Sequence, residues 1–225
     1  MDCLIIAAGF GSRLRAIGPS KPLTPVAGVP LIERVIRAAA EGGATRFTVA
    51  TGHEAERLEA FLATLPFTIA PVRVADWSLP NGHSVLAGAA RITGDYLLTM
   101  SDHLFDPAIA AALIAAPPAA LRLAVDRDLA NPLLDMDDVT KVETGEGGAI
   151  VRIGKTLTRF DAADTGLFRA TPALAAAIAA GGGSLSDGVQ RLADQKQAMT
   201  LDVTGHFWLD VDDPAALAKA EARLG

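Results

Sequence analysis

Cysteine is almost missing from this chain. Cys3 stands alone among 225 residues, which excludes internal disulfides and thiolate metal clusters and fits a reducing cytoplasm. Its place in a short apolar run marks a buried, inert thiol. Aromatic residues are scarce, with eight Phe, two Trp and one Tyr, so little is available for a cage around a quaternary ammonium. Basic residues are outnumbered as well. The 20 Lys and Arg against 26 Asp and Glu leave a net charge of −6, which argues against a general binder of nucleic acid or anionic membranes. Long apolar runs are lacking: the alanine-rich stretch from Ala108 to Ala120 is interrupted by Pro117-Pro118 and followed by Arg122 and Asp126. Such a stretch is too short and too broken to span a bilayer. No basic-then-apolar leader opens the chain. These absences predict a soluble cytoplasmic protein.

Half of the residues are apolar and a fifth are charged, a globular composition. The length suits a single domain, 1–225, with a sizeable core. Strand and helix patterns alternate from the start, which predicts an α/β layer fold with a largely parallel sheet. Residues 31, 32, 35, 36 and 39 form the apolar face of a helix that Gly42-Gly43 stops. Phe47–Val49 reads as a strand, 53–65 as a helix, and 67–74 as an alternating strand. Asn81 reads as the N-cap of a helix carrying Val85, Leu86, Ala89 and Ile92. Tyr96 to Met100 is nearly all apolar, the pattern of a strand buried on both faces. Asp106-Pro107, Thr171-Pro172 and Asp213-Pro214 each pair an N-cap residue with proline at the first helical position. Residues 139–154 read as a hairpin around Gly145-Glu146-Gly147-Gly148, within a subregion of about 120–170.

The most informative stretch is 4–23, LIIAAGFGSRLRAIGPSKPL. An apolar strand opens into a loop with Gly9 and Gly11, followed by Ser12, Arg13 and Lys21. Such glycines let backbone N–H groups approach phosphate oxygens. Arg13 adds a planar fork and Lys21 a point charge. That combination suits a triphosphate. A dinucleotide fingerprint is excluded because Leu14 stands where its third glycine is required. Gly154-Lys155-Thr156 is not a P-loop, because Ala149 occupies the position of that motif's first glycine.

On these residues the chain resembles the nucleotidyltransferase superfamily, whose N-terminal signature is a strand, Ala-Ala-Gly-x-Gly-x-Arg, then Lys-Pro. Within it the sequence is most similar to the CTP:inositol-1-phosphate cytidylyltransferase family. That resemblance is carried by Asn81-Gly82-His83-Ser84-Val85-Leu86, Leu98-Thr99-Met100-Ser101-Asp102-His103, Thr140-Lys141-Val142 and Arg152-Ile153-Gly154-Lys155-Thr156-Leu157. It continues in Phe160-Asp161-Ala162-Ala163-Asp164-Thr165-Gly166 and Trp208-Leu209-Asp210-Val211-Asp212. Ser101 departs from the glycine expected before the Asp-His pair, and leaves the acid in place. The resemblance implies a Rossmann-like, three-layer α/β/α sandwich with a mostly parallel, mixed central sheet and a small hairpin-bearing acceptor subregion. It further implies transfer of CMP from CTP to a phosphorylated alcohol, inositol 1-phosphate first among them, with release of pyrophosphate.

Asp102 falls just past the carboxyl end of the buried strand, where open parallel sheets bind ligands. Asp210 and Asp212 lie two apart, so in an extended segment both carboxylates share a face. One carboxylate from mid-chain and a pair from the end would hold Mg²⁺, making Asp102, Asp210 and Asp212 the expected metal ligands. Arg13, Lys21 and Asp102 are the expected catalytic groups. The resemblance adds Ala7, Ala8, Gly9, Gly11, Ser12, Asn81, Gly82 and Ser84 on the nucleotide side. On the acceptor side it gives Lys141, Lys155, Asp164 and Thr165, with Asp126 and Arg127 as weaker candidates. The four histidines carry no ligand spacing; His83 and His103 read as residues that tune loops. In the family this domain often precedes a membrane-embedded transferase, so a separate membrane CDP-alcohol transferase is an expected partner, in a route to phospholipid precursors. Two alternatives stand beside this reading. One is a sugar-1-phosphate or phosphocholine nucleotidyltransferase, and the other a non-catalytic, nucleotide-sugar-binding regulatory protein.

Overall fold

The computed structural model describes residues 1–225 except Arg15. The first half contains β1 (Asp2–Ala7), β2 (Pro25–Val26), β3 (Val29–Pro30), α1 (Leu31–Glu41), β4 (Arg46–Thr51), α2 (Ala55–Leu62) and β5 (Ile69–Arg73). There follow α3 (Gly82–Ala89), β6 (Tyr96–Met100), β7 (His103–Phe105), α4 (Pro107–Ala115) and β8 (Leu121–Asp126). The second half adds β9 (Lys141–Thr144), β10 (Ile150–Gly154), β11 (Ala162–Ala170), α5 (Pro172–Ala179), α6 (Leu185–Asp194), β12 (Ala198–Asp202), β13 (Trp208–Asp210) and α7 (Pro214–Leu224).

Strands β6-β1-β4-β5 pair in parallel, with β1 central between Tyr96–Met100 and Arg46–Thr51. Beyond β6 the sheet turns antiparallel through the long strand β11, which pairs with β6, β8 and β9. The sheet is therefore mixed, with a parallel nucleotide-side half. Side chains of β1 alternate between two cores. Cys3, Ile5 and Ala7 pack with Val35 and Ile36 of α1, Leu58 of α2 and Ile109 of α4. Leu4 and Ile6 pack with Val85 of α3, Leu174 of α5 and Val189 of α6. Helices thus cover both faces, which is why β1 reads as an unbroken apolar run. Burial pushes the Cys3 thiol up to about 12, so it is no nucleophile.

The capping expectations resolve one by one. Asp106, Thr171 and Asp213 accept from the backbone N–H of Ala108, Ala173 and Ala216. The Asn81 side chain does not cap α3; its backbone is helical and its amide Oδ1 accepts from Leu185 N at 3.0 Å. The side chain is drawn away by the start of α6, a long-range partner that no local pattern reports. Residues 141–154 do form a hairpin, joined by a short 3₁₀ turn at 146–148. Among the described residues no helix is long and apolar enough to cross a membrane.

Candidate active site

Parallel strands end on one side of the sheet, so β1 and β6 deliver the glycine loop and Asp102 to the same edge. A two-stranded ribbon supplies the third component: β13 pairs antiparallel with β7, setting Asp210 opposite His103. Val211 N then donates to Asp102 O at 3.0 Å. Sequence separation of more than a hundred residues is closed by that ribbon, and Asp212 follows directly behind it.

Gly11 is required twice. Its φ of +60° suits glycine, and a Cβ there would lie 2.5 Å from Lys21 Cβ. The close approach seats Lys21 in a 3₁₀ turn with its ammonium between Asp102 and Asp212, to which it donates. Lys21 is 9% exposed. Arg13 is half exposed and donates to Asp212 at 2.5 Å and to Asp138 at 2.9 Å. Lys155 reaches the other oxygen of Asp138 at 2.5 Å. A single carboxylate therefore bridges the two cations read as phosphate ligands from opposite halves of the chain.

His103 Nδ1 lies 2.8 Å from Asp102 Oδ1 and 3.8 Å from Asp210 Oδ1. Burial works against its charge, but Asp210 and the hydrogen bond to Asp102 raise it to about 9. Its ring is thereby set as a counter-charge between the two acids. Burial also opposes ionisation of Asp102, yet Lys21 and His103 hold its carboxyl well below the ordinary range. Asp164 is pushed up to about 6 by burial, against the pull of the Gly166 N–H and of His103. Gly166 has a φ of +76°, and a Cβ there would stand 2.1 Å from the His103 ring. The Asp-Thr-Gly turn is thus shaped around His103.

Two cavities open at this edge. One, of about 360 Å³, is lined by Ala7, Ala8, Gly9, Gly11 and Ser12 with Ser84 and Trp77. The other, of about 620 Å³, is lined by Lys155, Asp164, Asp210, Trp208 and the segment 133–140. Both are of ligand-binding size. They share Arg13, Asn81, Met100, Asp102 and Asp212. Most of the expected site residues meet here, but three do not line either cavity. Lys141 donates to Lys155 O and lies over the Phe160 ring. Thr165 is fully buried and donates to Ala124 O. Gly82 packs on Gly183, whose carbonyl a Cβ would meet at 2.3 Å. Of the weaker candidates, Arg127 is engaged by Asp161. Asp126 is buried, accepting from Trp208, Asn131 and Asp128 N. It anchors the segment that walls the larger cavity. Asp138 carries no motif that sets it apart in the sequence, and only the course of 127–140 reveals it; His103 stands in the Asp-His pair, but its place opposite Asp210 comes from the pairing of β7 with β13.

Asp210 Oδ1 is buried without a hydrogen-bond partner. Asp102, His103 and Asp210 offer ligand atoms within 4.8 Å of one another. An acidic oxygen without a hydrogen-bond donor beside a second carboxylate fits a hard divalent cation.

The fold and the phosphate-directed cations at its sheet edge define a nucleotidyltransferase. A profile for the MobA-like NTP transferase domain matches residues 3–141, more than half of the chain, and the chain belongs to that family. It is 34% identical over 224 residues to a bifunctional IPC transferase and DIPP synthase of Rubrobacter xylanophilus, covering 96% of this chain and 50% of that protein. A protein of the same name from Aquifex aeolicus is 30% identical over 225 residues, covering 98% and 51%. The chain thus spans about half the length of these relatives. The fold superposes on the inositol-1-phosphate CTP transferase from T. maritima with a TM-score of 0.86 at 22% identity, covering 100% of this chain and 97% of that one. A UDP-glucose pyrophosphorylase complexed with UDP-glucose gives 0.85 at 17% identity, covering 99% and 97%.

Proposed function

We propose that the protein transfers CMP from CTP to inositol 1-phosphate, with Mg²⁺, giving CDP-inositol and pyrophosphate. The observation that carries this reading is the meeting of the two cavities at Arg13, Asp102 and Asp212. A nucleotide on the glycine loop and a phosphorylated alcohol in the larger cavity would bring donor and acceptor phosphates together there. The names of the bifunctional relatives and of the T. maritima enzyme support the choice of donor and acceptor.

The acceptor phosphate is already ionised and needs no protein nucleophile. One of its oxygens attacks the α-phosphorus in line; the new P–O bond forms as the bond to the bridging oxygen breaks, and pyrophosphate departs. Arg13 and Lys21 stabilise the charge that grows on pyrophosphate. To do so each exchanges a carboxylate partner for phosphate oxygens. Asp102 and Asp210, with Asp212 beside them, are the residues that would hold Mg²⁺. When bound, the ion neutralises charge on the α-phosphate and orients it.

Lys155 acts on the acceptor. Its ammonium sits beside Asp138 at the mouth of the larger cavity, within reach of a phosphate that displaces that carboxylate. Lys155→Ala is expected to raise KM for inositol 1-phosphate at least tenfold while KM for CTP stays within about twofold. Asp164→Ala is expected to act on the polyol in the same way, because hydroxyls left unpaired cost about 1–3 kcal/mol. Steady-state kinetics with each substrate varied in turn checks both. Equal rises in the two KM values would remove Lys155 from the acceptor site.

The overall reading is tested by pyrophosphate release from CTP, UTP, ATP and GTP against a panel of phosphorylated alcohols. Inositol 1-phosphate with CTP is expected to give the highest kcat/KM. A sugar 1-phosphate or phosphocholine in first place would replace the acceptor, and absence of turnover with every pair would return the protein to a regulatory role.

A further inference from the structure

Trp77 has no role in the reading above, yet it lines the smaller cavity beside the glycine loop while remaining 40% exposed. Leu79, 44% exposed, lines the same cavity, so the two side chains together set an exposed apolar patch beside the glycine loop. The Trp77 ring also packs in an aromatic cluster. It lies parallel to Phe10, at 3° and 5.9 Å between centroids, and His53 meets both rings edge-on at 4.8 and 5.2 Å. Gly52, directly after β4, lets the loop seat closely, since a Cβ there would fall 2.6 Å from Trp77 Cβ. The same cavity is lined by Arg13, Lys21 and Asp102. It combines phosphate-directed charge with a partly exposed aromatic ring, the two surfaces that a nucleotide requires.

We propose that Trp77 is a substrate-binding residue that stacks on the nucleobase of the nucleotide. This rests on the nucleotidyl-transfer reading, in which the glycine loop holds the triphosphate. Every base has a π-face, so the stack supplies affinity for a base without choosing among bases. Hydrogen-bonding groups such as Ser84 and the Asn81 amide are left to discriminate.

The test compares binding of CTP, UTP and tripolyphosphate, each with magnesium, by titration calorimetry. Wild type, Trp77→Phe, Trp77→Leu and Trp77→Ala are titrated after thermal melting has shown them folded. Loss of the ring is expected to weaken CTP and UTP alike by about tenfold and to leave tripolyphosphate, which has no base, unchanged. Trp77→Phe is expected to stay within about threefold of wild type. In wild type, CTP should also quench tryptophan emission, and Trp77→Phe should lose that quenching while still binding. The leucine variant fills the same space without an aromatic face. CTP binding by Trp77→Leu as tight as wild type overturns the stack, as does an equal loss for CTP and tripolyphosphate, which would mean that the ring only props the glycine loop. If wild type itself prefers tripolyphosphate to every nucleotide, the nucleotide reading fails, and the stack with it.

Discussion

Lys21→Ala should lower kcat at saturating CTP and acceptor by about 10²-fold or more, and Arg13→Ala should follow it. The two lysine and arginine positions differ in how they would fail. Arg13 is half exposed and divides its guanidinium between Asp138 and Asp212, so its loss should leave the fold nearly intact. Lys21 is buried, with Gly11 packed against its Cβ and two carboxylates on its ammonium. Removing it takes from Asp102 and Asp212 the cation they share, leaving Asp102 with His103 and Asp212 with Arg13, so a lower melting temperature should accompany the lost activity. In both variants the loss should fall on kcat rather than on either KM alone, because the charge being stabilised develops on the leaving pyrophosphate. Stopped-flow detection of pyrophosphate would measure this directly. Near-normal turnover in Arg13→Ala would remove that residue from the transition state.

The nucleotide half of the site was legible in the sequence because it is local. Strand, glycines, Arg13 and Lys21 follow one another within twenty residues, and the periodicity of β1 and α1 fixes which end of the strand they leave. Asp102 was legible for the same reason, being attached to an apolar strand whose direction is known. The acceptor half is assembled at long range: Lys155, Asp164 and Asp210 were named from the family resemblance and line the larger cavity, but how they meet was not legible. Asp210 reaches Asp102 only through the β7–β13 ribbon, three residues a side, too short for a periodic signal. Asp138 sits in a segment of Asx turns with no pattern beyond its polarity. Lys141 and Thr165 lie beside true cavity residues in sequence but face elsewhere, as the alternation of a strand requires. Asn81 failed as a cap because Leu185 N, a partner 104 residues away, outbids the local one. His103 looked bland because its surroundings are made by neighbours, and beyond the adjacent Asp102 these come from β13 and β11, as Asp210 and Asp164.

Asp102→Asn should reduce turnover to below about one hundredth of wild type, with a larger loss than Asp210→Asn, and should weaken binding of magnesium CTP more than binding of CTP in chelator. The substitution keeps shape and removes charge. Asp102 is ionised throughout the working pH range, held so by Lys21 and His103, so the asparagine variant lacks an anion at any pH. Asp210 is different: burial raises its carboxyl, and Asp102 beside it raises it further. His103 pulls the other way, and Asp210 Oδ1 has no hydrogen-bond partner, so a metal ion would add a contact there. In Asp102→Asn, Lys21 keeps Asp212, so the glycine loop should hold its place and the melting temperature should change little. Activity restored by Mn²⁺ in place of Mg²⁺ would agree with a ligand role, since only the metal contact changes. Full activity of the wild-type protein in excess chelator would rule the metal out, and would leave Asp102 as the anchor that positions Lys21.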